Sequence, residues 1–261
     1  MKAIEVIQGR QWVTGMRGLK QQRRKWVSAL IYFLLFFVWI YFFDDAVQVL
    51  SPWLPKRAAV QMRTPLHVLA WQHFFIVVVA TGLAVLTSLV LGSLVHLSRS
   101  SELKSLVLSA SAIGETIPSA AVIALAVPVL GYGNLPSMLA LYLYAILPVV
   151  RNVIVGMETI APSVREAGTG MGMTKLQQFI QLDIPLAAPI ILTGIRTALV
   201  INVSVATIGA TVGAGGFGVP IIAGIRVYDP VMVLQGAVPV IVMAMFADKL
   251  LRIHTSEEAL S

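Results

Sequence analysis

The sequence has no cysteine and little charge: 12% of its 261 residues are Asp, Glu, Lys or Arg, and only four are His. Without cysteine there is no disulfide, no thiolate metal ligand and no cysteine nucleophile. Charge at about half of the roughly 25% usual in soluble domains cannot cover a water-soluble globule of this length, which excludes a cytosolic enzyme. Disorder fails on the opposite ground, because 57% of the residues are hydrophobic and disordered chains combine low hydrophobicity with high charge. The chain also lacks G-K-[S/T], so it has no P-loop lysine for a nucleotide's phosphates. It lacks H-E-x-x-H, and His67, His73, His96 and His254 are scattered. No catalytic residue and no metal site are expected.

Long apolar runs stand in place of these features. A hydrocarbon core of about 30 Å takes roughly 20 helical residues to cross. Six runs meet that need, over 26–43, 74–97, 106–130, 137–157, 186–212 and 231–247. The fold class is therefore an all-α polytopic membrane protein with six transmembrane helices. Arg23, Arg24 and Lys25 precede the first run as in a signal peptide. Its apolar stretch is too long for one, and Asp44-Asp45 stands where a small-residue cleavage site belongs. A retained helix is expected. Pro118, Pro128, Pro148, Pro189 and Pro239 fall inside or near the spans, where neighbouring helices can re-satisfy the carbonyls that proline frees.

Charge sets the orientation. Lys2, Arg10, Arg17, Lys20, Arg23, Arg24 and Lys25 precede the first span. With that segment inside, fourteen of the nineteen basic residues lie on the cytoplasmic side, as the positive-inside rule favours. Both termini are then cytoplasmic. The chain divides into a basic segment 1–25, a first helix 26–43, an external segment 44–73, a core of five helices over 74–250 and a cytoplasmic tail 251–261. Trp53 and Trp71 in the external segment suit the interface. The net charge of +7 belongs to topology, with lipid headgroups as partner and no role for nucleic acid.

The largest internal connection, 158–185, carries the strongest signal. Pro162 and Ser163 mark a helix start, with Ser163 and Glu166 in capping-box spacing. Gly168, Gly170 and Gly172 break or thin that helix. Thr174 caps a second one, on which Leu176, Phe179 and Ile180 form an apolar stripe opposite Lys175, Gln177, Gln178 and Gln181. A helix, a glycine joint and an amphipathic helix between two spans suit docking to a partner protein. The pattern alone leaves an interfacial helix in the headgroups equally open.

Glu166-Ala167-Gly168, then Gly172, then Leu182-Asp183-Ile184-Pro185 resemble the EAA loop of the permease subunits of ABC importers. That pattern is E-A-A, three residues, G, nine residues and I-x-L-P. The departures are glycine for the second alanine, and leucine and isoleucine exchanged. The resemblance implies the type I importer permease fold. It also implies docking to an ATPase through Glu166, Ala167, Gly168, Gly172, Met173, Thr174, Lys175, Leu176, Leu182 and Pro185. Its further implications are ATP and Mg bound by that ATPase with no cofactor in this chain, a second permease subunit (the same or a related chain), an external binding protein and a bacterial inner-membrane location. Segments 114–133, 147–152, 170–178, 182–198 and 207–218 resemble the glycine betaine, carnitine and choline subgroup of osmoprotectant permeases. That subgroup usually has glutamine where this chain has Glu115. The runner-up is a methionine or other amino-acid permease, and the rival from another class is a carrier that needs no ATPase.

Polar residues within spans are costly and default to functional candidates. Glu115, beside Thr116 and Pro118, is expected near mid-depth. Pairing with Arg196 at similar depth ranks first, contact with a quaternary ammonium second and a passive protonated carboxyl third. Glu115, Thr116, Pro118, Arg196, Asn202 and Ser204 are the candidates for a translocation path, with helix-to-helix hydrogen bonding as the alternative for Asn202 and Ser204. Gly213, Gly215, Gly216 and Gly218 satisfy G-x-G-x-x-G. They lack the preceding strand that a dinucleotide site requires and read as a bend at the external mouth.

Overall fold

A computed structural model describes residues 26–49 and 64–257. The basic segment 1–25, most of the external segment including Trp53, and the last residues of the tail lie outside that range. No strand occurs among the described residues. The elements are α1 (Trp26–Val49), α2 (Leu66–Ser98), α3 (Ser101–Thr116), α4 (Ser119–Leu130), α5 (Asn134–Glu158), α6 (Pro162–Gly170), α7 (Lys175–Gln178), α8 (Ile184–Val205), α9 (Gly218–Val227) and α10 (Pro230–Glu257). A π-helical turn, Phe179–Asp183, joins α7 to α8, and a 3₁₀ segment, Ala206–Val212, extends α8.

Five stretches are long and apolar enough to span alone: α1, α2, α5, α10, and the run from α7 through α8. The sixth expected span, 106–130, is not one helix. It is α3 and α4 meeting at 91°. Pro118 has no N–H to continue α3, and its ring pushes the preceding residue out of helical conformation. Ile117 is accordingly extended, with φ −81° and ψ 124°. The Tyr144 hydroxyl donates to the Ile117 carbonyl at 2.6 Å and so satisfies one group exposed by the break.

The other spans stand where expected but run longer. The segment read as external from 44 is helical to Val49, and α2 begins at Leu66 rather than 74. Its 33 residues reach roughly 50 Å at 1.5 Å per residue, more than the hydrocarbon needs. Gln72 and His73 lower the local hydropathy and hide this first part of the helix.

The buried centre is α5. Ala145, Val149, Val150, Val153, Ile154 and Met157 are buried between α2 and α8. In lipid the association rests on close packing and inter-helix hydrogen bonds, because the tails are as apolar as the side chains. Small residues allow that approach. A Cβ on Gly194 of α8 would lie 2.6 Å from Asn152 Cβ and 2.7 Å from the Pro148 carbonyl oxygen. Ser88 of α2 donates to the Ile146 carbonyl at 3.2 Å. The result is a rigid core from which one loop projects at each end.

Candidate functional site

The loop between α5 and α8 is built from local rules. α6 starts at Pro162 with Ala161 as N-cap and no side-chain cap. The expected Ser163–Glu166 capping box is therefore absent, since proline at the first position already supplies the helical φ and needs no donor satisfied. The helix runs through Gly168 and Gly170 instead of breaking at them. It ends at Gly172, whose φ is +79°. The Met173 N–H donates to Gly168 O at 3.0 Å and the Gly172 N–H to Thr169 O at 2.9 Å. These paired bonds around a left-handed glycine are a Schellman ending. Gly168 is buried, and a Cβ there would meet Leu182 at 2.8 Å.

The second helix starts as expected. Thr174 accepts from the Gln177 N–H, and the Gln177 side chain accepts from the Thr174 N–H, a complete capping box. Gln178 Nε2 donates to Thr169 Oγ1 at 2.9 Å, which ties this turn back to α6. The outer face presents Met171 (72% exposed), Leu176 (67%) and Ile180 (53%). Glu166, Ala167, Thr174 and Lys175 are exposed around them, while Met173 and Leu182 are half-buried. Pro185 lies in the first turn of α8.

Beneath that face is a cluster the sequence reading did not single out. Asp183, in the π-helical turn, is buried. Its Oδ1 accepts from Arg165 Nε at 2.9 Å, and its Oδ2 accepts from His96 Nε2 at 3.1 Å. Arg165 Nη2 also donates to the Met157 carbonyl at 2.8 Å. The His96 ring stacks on Phe179, with centroids 6.4 Å apart. One carboxylate thus joins α6, the end of α5, the end of α2 and the root of α8. The available signal was a lone acid placed between an amphipathic helix and a span.

Within the bundle, the expected Glu115–Arg196 pair does not form. Arg196 Nε donates to Asp248 Oδ1 of α10 at 2.6 Å. Depth alone had matched Glu115 with Arg196, but α3 packs on α5 whereas this face of α8 meets α10. Gly114 lies against Leu143 of α5, and Glu115, Thr116 and Pro118 are exposed at the α3–α4 break. Asn202 is buried and donates to Thr81 Oγ1 of α2 at 2.8 Å, so it joins two helices. Ser204 is exposed, and Thr193, Thr197 and Thr211 lie on the same side of α8 and its extension. Each of these hydroxyls donates to a carbonyl three or four residues earlier. The row 193, 197, 204, 211 keeps one face, a spacing visible in the sequence but not read from it.

At the far end, Gly213, Gly215 and Gly216 have φ of +83°, +76° and +72°, and Gly218 begins α9. The turn is clamped onto α2: the Gly216 N–H donates to Gln72 Oε1 at 3.0 Å, and a Cβ on Gly215 would strike that same amide. Phe217 is fully buried, 5.4 Å from the His73 ring, and His73 Nε2 donates to the Val203 carbonyl at 2.9 Å. Asp229 Oδ1 accepts from the N–H groups of Val231 and Met232 and caps α10. A helical segment, not a strand, precedes the glycines, so the dinucleotide pattern is a bend. No cluster of three potential metal ligands occurs among the described residues. A cleft of about 430 Å³ between α1, α2, α8 and α10 is lined by Phe33, Phe37, Trp71, Phe74 and Phe246, among others, and offers a polar solute little.

The profile of the family described as binding-protein-dependent transport system inner membrane component matches residues 84–256. The osmoprotectant import permease protein OsmW of Salmonella typhimurium is 40% identical over 188 residues, covering 70% of this chain and 86% of that protein. The glycine betaine/carnitine/choline transport system permease protein OpuCB of Bacillus subtilis is 36% identical over 182 residues, covering 70% and 83%. Among solved structures, an inward-facing form of the MetNI methionine ABC transporter shares the fold with a TM-score of 0.62 at 21% identity, over 73% of this chain and 98% of that one. A hydrogen-bonded loop rooted in a bundle of apolar spans, and a family match that contains both, lead to one conclusion. The chain belongs to the binding-protein-dependent transport system inner membrane components, the multi-pass permease subunits of bacterial ABC transporters.

Proposed function

We propose that this chain is the transmembrane subunit of an ATP-driven importer for osmoprotectants, small quaternary ammonium solutes such as glycine betaine, carnitine and choline. The observation that carries the reading is the loop: an apolar row, Met171, Leu176 and Ile180, held outward on a capped and hydrogen-bonded frame. In this reading the row seats in a separate ATPase that binds ATP and Mg. Glu166, Ala167, Thr174 and Lys175 rim the contact. Gly168, Gly172, Met173, Leu182 and Pro185 fix its shape.

ATP binding shifts the equilibrium only if it favours one arrangement of the loop over the other. The Asp183 cluster then carries the loop's movement to α2, α5 and α8. The loop lies on the cytoplasmic side with both termini, and the glycine bend faces outward, where a binding protein delivers the solute. Two permease chains, identical or related, enclose the path, with Glu115, Thr116, Pro118 and Ser204 along it. Arg196 and Asn202 hold the helices behind it.

The test is uptake by the chain reconstituted with its ATPase and binding protein. Labelled glycine betaine or choline is expected to accumulate only with ATP, while methionine does not. Uptake without an ATPase, or of methionine alone, overturns the reading.

A further inference from the structure

The Glu115 side chain is exposed and makes no hydrogen bond or ion pair among the described residues. The cation expected to neutralise it, Arg196, is taken by Asp248. Arg151 lies seven residues beyond Tyr144 along α5, roughly 10 Å further toward the loop end. Glu115 itself lies roughly 21 Å along α3 from Ser101 at 1.5 Å per residue. A carboxylate at such a position is not left facing lipid, so this face borders water or the second subunit.

The break adds to the negative potential. α3 ends here, and the last carbonyls of a helix lack intrahelical partners and carry the negative end of its dipole. Pro118 brings no N–H to meet them; the Tyr144 hydroxyl satisfies the Ile117 carbonyl and the Thr116 hydroxyl that of Ile113. A quaternary ammonium group cannot donate an ordinary hydrogen bond. It is held by negative charge and by aromatic faces, and both are present in Glu115 and Tyr144.

We propose that Glu115 contacts the quaternary ammonium group during translocation and makes the path favour net cations, such as choline, over zwitterions, such as glycine betaine. This rests on the importer reading above. A cation gains the full attraction of the carboxylate, whereas the carboxylate of a zwitterion is repelled by Glu115 and offsets part of it. Glu115 is therefore a specificity residue that acts after the binding protein has released its load.

The test is the ratio of maximal uptake rates, choline over glycine betaine, in the complete complex with its binding protein. Glu115→Gln is expected to lower that ratio about tenfold, equivalent to about 1.4 kcal/mol, with KM unchanged because the binding protein sets it. Glu115→Asp keeps the charge and is expected to hold the ratio. If both solutes are imported and Glu115→Gln leaves the ratio unchanged, this proposal fails and the importer reading stands. If the unmodified complex imports neither solute, both fall. Should Glu115→Gln fail to assemble, carbodiimide modification of Glu115 in the unmodified complex, read by mass spectrometry, decides. Choline is expected to slow modification relative to an equal concentration of sodium ion, and equal rates overturn the proposal.

Discussion

Asp183 shows how much a single buried side chain holds in this protein. Its two oxygens receive Arg165 from α6 and His96 from the end of α2, so removing the charge weakens the tie between the loop and the core. Breaking a buried charged pair costs about 3–5 kcal/mol; the partly exposed Arg165 side chain (28%) brings the expectation nearer 2 kcal/mol after screening. Asp183→Asn preserves shape and one acceptor. The expected outcome is a complex that assembles and hydrolyses ATP but imports at less than about a tenth of the normal rate per ATP, since a loss of 1.4 kcal/mol is tenfold. Uptake measured against phosphate release checks this, and normal coupling would show that the cluster is only structural. Asp229 is the contrast. It caps α10 at the opposite end, and Asp229→Ala is expected to cost about 1 kcal/mol of stability. A lower thermal midpoint with unchanged import per ATP is the predicted signature.

At the scale of an element, the loop depends on one backbone conformation. Gly172 has φ +79° with open space around its Cα, so alanine there meets only the left-handed penalty of about 1–2 kcal/mol. Proline, fixed near −65°, cannot adopt the turn at all. Gly172→Ala is expected to retain the ATPase on purification, and Gly172→Pro to insert into the membrane normally but lose it. Equal retention of the ATPase by the two variants would remove the docking role. This element was largely legible in sequence, because a capping Thr174 and a Gly172 ending are local chemistry. The break at Ile117–Pro118 was less so, since five prolines fall in or near spans and only this one separates two helices at 91°. Pro148 and Pro189 sit inside intact helices. The partners of Asp183 were illegible for a different reason: they lie 18 and 87 residues away, and no period or motif links them. Matching Glu115 to Arg196 by depth failed because depth fixes height along a span, not the side a residue faces.

For the whole molecule, the decisive question is which face meets lipid. The exposed surface contains two kinds of side chain: broad apolar stretches such as Leu83, Leu86, Val90, Leu94 and Leu97 on α2, and the hydroxyl row Thr193, Thr197, Ser204 and Thr211 on α8. Hydroxyls bonded back to their own helix can be tolerated in hydrocarbon, so their presence alone does not assign the face. Their company does: Gly194 brings α8 against Asn152 of α5, and α5 in turn carries Tyr144 to the α3–α4 break beside Glu115. Hydroxyls, a carboxylate and an arginine all appear on the sides where α3, α5 and α8 are uncovered, whereas the exposed side of α2 over 83–97 is chiefly apolar. The lack of cysteine that limits this protein's chemistry makes the assignment easy to test, since any introduced thiol is the sole one. A charged maleimide reacts with the thiolate and needs water to reach it. Thr197→Cys and Ser204→Cys are expected to label at least about ten times faster than Leu86→Cys, because hydrocarbon excludes both the charged reagent and the water that carries it. Saturating the complex with solute and ATP should change the rate at Ser204→Cys and leave Leu86→Cys unaltered. Equal labelling at all three positions would place the hydroxyl row in lipid and move the path elsewhere in the assembly.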